Sequence, residues 1–178
     1  NINTVGNGTL LQLASTTKPL SQGQFGQFPL YVFSTDGVFA MTVNSDGGYD
    51  SKQVVSRDVC NNVNSIAQID GAIIFSTING LKLLSGTEVI SISASLEKQN
   101  ELISNLPRLK EFLGEDLPEQ ISFLDYMKQA FVSYDYVEQR LFVYNPNKPY
   151  TLVYSLKSKQ WTTYQKQFTY PINSYPEQ

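Results

Sequence analysis

LYVFSTDGVFA, residues 30–40, returns in altered form as AIIFSTINGLKLL, residues 72–84. The shared Phe-Ser-Thr begins at Phe33 and again at Phe75, 42 residues on. In each copy an apolar run rich in aromatic and β-branched residues meets a turn signal, Asp36-Gly37 or Asn79-Gly80, and a second apolar run leads away. Both dipeptides favour a tight hairpin because their residues tolerate positive φ. A strand–turn–strand unit that recurs at a period of about 40 to 45 residues predicts blades of a β-propeller, each a four-stranded antiparallel meander.

Outward from the repeat, the chain supplies the remaining strands. Residues 1–8 are polar with two glycines and read as a linker, 9–15 as a first strand, and 16–28 as a loop containing Lys18-Pro19, Gly23 and Gly26. NSDGGYD, residues 44–50, turns the chain into a strand at 52–55, which completes the first meander. The second meander comprises strands at 65–69, 72–77, 81–84 and 88–92. A third is predicted from strands at 130–135, 140–144, 150–156 and 160–164, with Trp161 buried near the blade edge.

Between the second and third meanders the hydrophobic period changes from 2 to about 3.6. Leu102, Ile103, Leu106, Leu109 and Leu113 share one helical face, and Asp116 with Glu119 offers a capping box around Pro118. Residues 97–129 therefore read as a helical insertion within a single domain spanning 1–178. Without it roughly 145 residues remain, about three and a half blades, whereas closed propellers have about four to eight. The chain is expected to be part of a larger propeller, to close as a homo-oligomer, or to pack its meanders as a sandwich. Asn1 in place of Met fits an excised or processed piece.

Composition narrows the function. Thirteen basic against 16 acidic residues, net -3, argue against general nucleic-acid binding, because no basic surplus exists to release counterions. No apolar run approaches the 18 or so residues that span a bilayer, so no membrane association is expected. With no histidine and the single Cys60, histidine-based triads, imidazole zinc sites and internal disulfides are excluded; Cys60 reads as a small buried apolar residue.

Candidate sites are few. Asn44, Asp46 and Asp50 place oxygen ligands in a Gly-containing loop, which resembles a calcium site less than it does a hairpin turn, since no distal bidentate Glu follows. Arg57 and Asp58 after a strand read as a structural clamp through the rigid guanidinium fork. The carboxylates Glu115, Asp116, Glu119 and Asp125 read as helix-terminal charges rather than an acid/base pair. Tyr126, Tyr134, Tyr136, Tyr144, Tyr150, Tyr154 and Tyr164, with Trp161, are expected to fill strand faces, the alternative being a sugar-stacking surface. Gly23 and Gly26 make no nucleotide fingerprint. No catalytic residue, metal or cofactor is expected.

The order of the motifs carries a resemblance. LYVFSTDGVFAMTV, VVSRDVCN, SIAQIDGAIIFST and GLKLLSG, followed by FVSYDYVEQRLFVYNP and YTLVYSLKSKQWTTY, resemble propeller-type tail and tail-hub proteins of bacteriophages and of prophages in gut bacteria. The resemblance covers about two thirds of the chain and excludes the helical insertion. It implies a structural part of a virion, made in the bacterial host cytoplasm and acting through contacts with other tail subunits. The residues expected to make such contacts are Leu102, Leu106, Leu109, Phe112, Leu113 and Phe123, because an inserted amphipathic hairpin must bury its apolar face somewhere. The alternative from another class is a carbohydrate-binding or polysaccharide-degrading surface propeller.

Overall fold

A computed structural model describes residues 6–17, 28–43, 46–97 and 121–169, apart from the side chains of Val43 and of residues 49–53. The fold is mainly β, with three four-stranded antiparallel sheets, each a meander of strands consecutive in sequence. The chain divides into two compact units, Asn1–Ser91 and Ile92–Gln178. No helix among the described residues is long and apolar enough to cross a membrane.

The first unit holds two sheets. Strands β1 (Leu10–Ser15), β2 (Leu30–Ser34), β3 (Gly37–Val43) and β4 (Tyr49–Ser56) form one, and β5 (Asn62–Ile69), β6 (Ala72–Thr77), β7 (Gly80–Ser85) and β8 (Glu88–Ser91) the other. The second strand of each sheet is interior and covered on both faces, which is why LYVFS and AIIFST are continuous apolar runs rather than alternating ones. β5 starts three residues earlier than the apolar pattern indicates, because polar Asn62 and Asn64 sit in an irregular stretch of it. That stretch is held by side chains: Ser65 Oγ accepts from Ser76 N at 2.8 Å and lies 2.6 Å from Asn62 O.

The two hairpins of the repeat are built alike, and their register corrects the expected turns by one position. Ser34 pairs with Gly37 and Thr77 with Gly80, so the loops are Thr35-Asp36 and Ile78-Asn79, and each glycine opens the following strand. Positive φ falls on the glycines, +124° at Gly37 and +101° at Gly80, and not on Asp36 or Asn79. The hydroxyl before each loop organises it. Ser34 Oγ accepts from Asp36 N (3.1 Å) and donates to Gly37 O (3.1 Å); Thr77 Oγ1 does the same with Asn79 N (3.0 Å) and Gly80 O (3.2 Å). Gly37 is also required sterically, since a Cβ there would lie 2.3 Å from Ser56 O.

This register places Thr77, not Ser76, in the position of Ser34, so the Phe-Ser-Thr letters are one residue out of step with the strands. In the first sheet Tyr31, Phe33, Val38 and Ala40 face the shared core, whereas in the second Ile73, Phe75 and Leu84 do. Alternation along a strand then makes these opposite faces of equivalent sheets. Corresponding strands lie over one another, β1 against β5 and β4 against β8. Corresponding ends also meet: Tyr31 Oη donates to Gly86 O in the β7–β8 turn at 2.7 Å, and Thr17 Oγ1 lies 3.4 Å from Asp70 O in the β5–β6 turn.

The second unit holds the third sheet, β9 (Phe131–Asp135), β10 (Arg140–Tyr144), β11 (Thr151–Ser155) and β12 (Gln160–Tyr164), with short helices α1 (Ala94–Glu97) and α2 (Phe123–Met127). Of the expected helical insertion, residues 98–120 lie outside the described residues, and with them Leu102, Leu106, Leu109, Phe112, Leu113, Glu115, Asp116 and Glu119. α2 is capped by Ser122, whose Oγ accepts from Asp125 N (3.1 Å) and donates to Asp125 Oδ2 (2.8 Å). This Ser-x-x-Asp box is present in the sequence, a few residues after the expected Asp116–Glu119 box.

Candidate functional site

The third sheet has two unlike faces. One carries Val132, Leu141, Val143, Leu152 and Tyr154, all buried, and turns toward α2. There Tyr126, fully buried, joins the helix to the sheet: its Oη accepts from Asn145 N at 3.0 Å and donates to Tyr150 O at 2.9 Å, while Asn145 Nδ2 reaches Tyr126 O at 3.0 Å. Burial pushes the Tyr126 phenol far above its ordinary range.

Trp161 on the edge strand β12 belongs to the same face and is half-buried. Its Nε1–H donates to Ile92 O at 2.8 Å, and its ring meets Phe123 at 5.5 Å and Tyr154 at 5.0 Å between centroids. It clamps the sheet edge to the segment entering α1. Phe123, expected to face a partner, is instead 1% exposed, because its ring packs on Trp161 inside the unit.

The opposite face is more open and more aromatic. Phe131, Phe142, Tyr144, Tyr164 and Phe168 lie along it, with Tyr164 stacked on Phe168 at 6.3 Å and Tyr144 on Phe131 at 5.6 Å. Tyr164 is 44% exposed, whereas Tyr144 is buried and its Oη has no hydrogen-bond partner among the described residues. Burial raises the Tyr144 phenol to about 12. Beside this aromatic end the described residues leave a recess of about 390 Å³ bounded by Arg140, Phe142, Val153, Thr162, Tyr164 and Phe168. Most of the other tyrosines are buried, as strand-face packing predicts: Tyr134, Tyr150 and Tyr154 join the core, and Tyr136 is half-buried against Tyr134.

The remaining candidates are placed as follows. Arg57 is exposed and Asp58 half-buried, and among the described residues neither forms an ion pair; the contact made here is Asp58 N to Ser56 Oγ at 3.0 Å. Asn44 and the side chain of Asp50 lie outside the described residues, and Asp46 is exposed. Asp125 is exposed and pairs with Lys128 at 2.7 Å; that bond, then the Ser122 hydroxyl, hold its carboxyl below the usual range and suit it to capping. Cys60 is buried in the core of the first unit, where burial pushes its thiol up.

No protein-family model matches this chain, and no curated protein does.

Proposed function

We propose that the chain is a non-enzymatic structural or adaptor protein of a phage or prophage tail, built of propeller-type blades and acting through protein–protein contacts. The observation that carries the blade reading is the repeat inside the first unit. A face-to-face sandwich brings like faces together, whereas here unlike faces meet, with β1 over β5 and β4 over β8. Successive blades of a propeller stand in that relation. Such a stack is extended by adding blades, and the three meanders among the described residues are fewer than the about four of the smallest closed ring. Further blades come from a longer chain or from other copies.

The tail role rests on the order of motifs that resembles propeller-type tail proteins. Rigid sheets present their loops to neighbouring subunits, and the protein resides in the virion after synthesis in the host cytoplasm. The decisive experiment is to read the flanking reading frames. Portal, capsid and tail neighbours are expected; a gene cluster for polysaccharide breakdown would overturn the tail role.

A further inference from the structure

Asp36 and Asn79 hold the same place in equivalent turns, each just before the glycine of positive φ. Their side chains differ in what they meet. The Asp36 carboxylate accepts from Asn7 N at 2.8 Å. Asn79 is exposed, and although its backbone N–H is held by Thr77 Oγ1 at 3.0 Å, its side-chain amide has no hydrogen-bond partner among the described residues. Asparagine is a thermolabile residue, and most so before glycine, where no Cβ crowds the approach of the next backbone nitrogen to the carboxamide carbon. The chain has two such pairs, Asn7-Gly8 and Asn79-Gly80.

The fold restrains the two pairs unequally. A Cβ at Gly8 would lie 2.5 Å from Thr35 Oγ1 and 2.8 Å from Asp36 Cγ, and Thr9 N donates to Thr35 Oγ1 at 2.9 Å. Hydrogen bonds on both sides of Gly8 thus fix the Asn7–Gly8 peptide against the first hairpin. The adjacent carboxylate also opposes the negative charge that builds as an amide nitrogen attacks. At Asn79 the restraint is the Thr77–Gly80 pair, which ends the β6–β7 ladder. The end of a ladder opens locally far more often than the sheet unfolds.

We propose that Asn79 is a site of spontaneous covalent modification, deamidation through a succinimide. The Gly80 nitrogen gives up its proton and bonds to Asn79 Cγ, and the side-chain nitrogen leaves as ammonia. Water then opens the ring at either carbonyl, giving aspartate or β-linked isoaspartate, with no oxidant or reductant involved. Either product sets a negative charge beside Ile78, which is 74% exposed. The β-linked product also lengthens the loop backbone by a methylene, which breaks the cap that Thr77 Oγ1 makes with Asn79 N and Gly80 O. The tip of the second sheet's hairpin therefore changes as the protein ages. This is independent of a structural role in a tail, so either can fail alone.

The test is peptide mapping by mass spectrometry of the full chain aged at mildly alkaline pH, one sample native and one in urea. In the native sample Asn79 is expected to deamidate about ten-fold faster than Asn7, the ratio that a charge-assisted hydrogen bond at Asn7 confers. In urea both pairs are released and the two rates should converge. Isoaspartate is expected alongside aspartate, because hydrolysis without a ring gives aspartate alone. Asp36→Ala, at an exposed position, removes the bond to Asn7 N and is expected to raise the native Asn7 rate toward that of Asn79 while leaving Asn79 unchanged. A native Asn79 that stays intact while the urea sample reacts, a native Asn7 as fast as Asn79, or aspartate as the sole product would each overturn the proposal.

Discussion

Phe33 and Phe75 meet edge to face, with ring centroids 5.2 Å apart and planes at 67°. They carry the same letter of the same repeat, yet they project from opposite faces of equivalent sheets. The one-residue offset between motif and turn makes this possible. Ser34 caps its turn, Ser76 instead donates to Asn61 Oδ1 at 2.6 Å, and Thr77 assumes the turn role. A repeat read as a copy is, in three dimensions, a complementary pair that joins one sheet to the next.

Truncating either ring empties the centre of the first unit's core, where both are fully buried. Phe33→Ala and Phe75→Ala are each expected to cost about 3–5 kcal/mol. The double mutant should cost less than the sum by about 0.5–1.5 kcal/mol, the coupling typical of an aromatic pair. Urea unfolding of the four species measures it, and strict additivity would show that the rings do not act on each other.

Gly37 and Gly47 both have positive φ, +124° and +76°, but differ in surroundings. A Cβ at Gly37 would run into Ser56 O, a backbone atom that cannot swing aside, whereas nothing lies within 4 Å of one at Gly47. Gly47→Ala is expected to cost only about 1 kcal/mol of backbone strain, and Gly37→Ala about 3 kcal/mol or more. Equal unfolding midpoints for the two variants would contradict the close approach.

Much of this was legible in the sequence because strand periodicity and turn chemistry are local. The twelve strands among the described residues fall where apolar runs and turn residues put them, and of these β4 and β5 are notably longer than expected. What was not legible is set by partners distant in sequence. Which side of a sheet Phe75 faces depends on a register that the letters of the motif misstate by one. Phe123 looks like an exposed anchor until Trp161 is brought against it. The recess is not visible in the sequence because Arg140, Phe142 and Thr162 become neighbours only through the pairing of three strands. The tyrosine-rich composition of the last third was the available signal, but it does not tell buried rings from open ones.

Tyr126 and Tyr144 are both buried, and loss of the hydroxyl should move stability in opposite directions. Tyr126→Phe strips a partner from the buried Asn145 N–H and from Tyr150 O, and is expected to cost about 2–3 kcal/mol. Tyr144→Phe removes a buried hydroxyl without a partner among the described residues, so stability should stay level or rise by about 1 kcal/mol. Denaturant midpoints decide, and a strong destabilisation in Tyr144→Phe would reveal a bonded hydroxyl.

The same burial makes the fold sensitive to alkali. Tyr144 and Tyr150 hold their phenolic protons to about 12 in the native state because the charged form would be desolvated. In the unfolded chain a tyrosine gives up its proton near 10. Below pH 10 both states are protonated and these groups add no pH dependence. Above it the unfolded state binds fewer protons than the native one, so stability falls as pH rises toward 12. Each such tyrosine contributes a slope of up to about 1.4 kcal/mol per pH unit. Tyr126, shifted in the same direction, adds to it. Urea midpoints measured from pH 8 to 11.5 should be level to about pH 10 and then drop, and Tyr144→Phe should make the drop shallower. A midpoint that stays constant to pH 11.5 would mean that these phenols ionise in the folded protein as readily as in the unfolded chain.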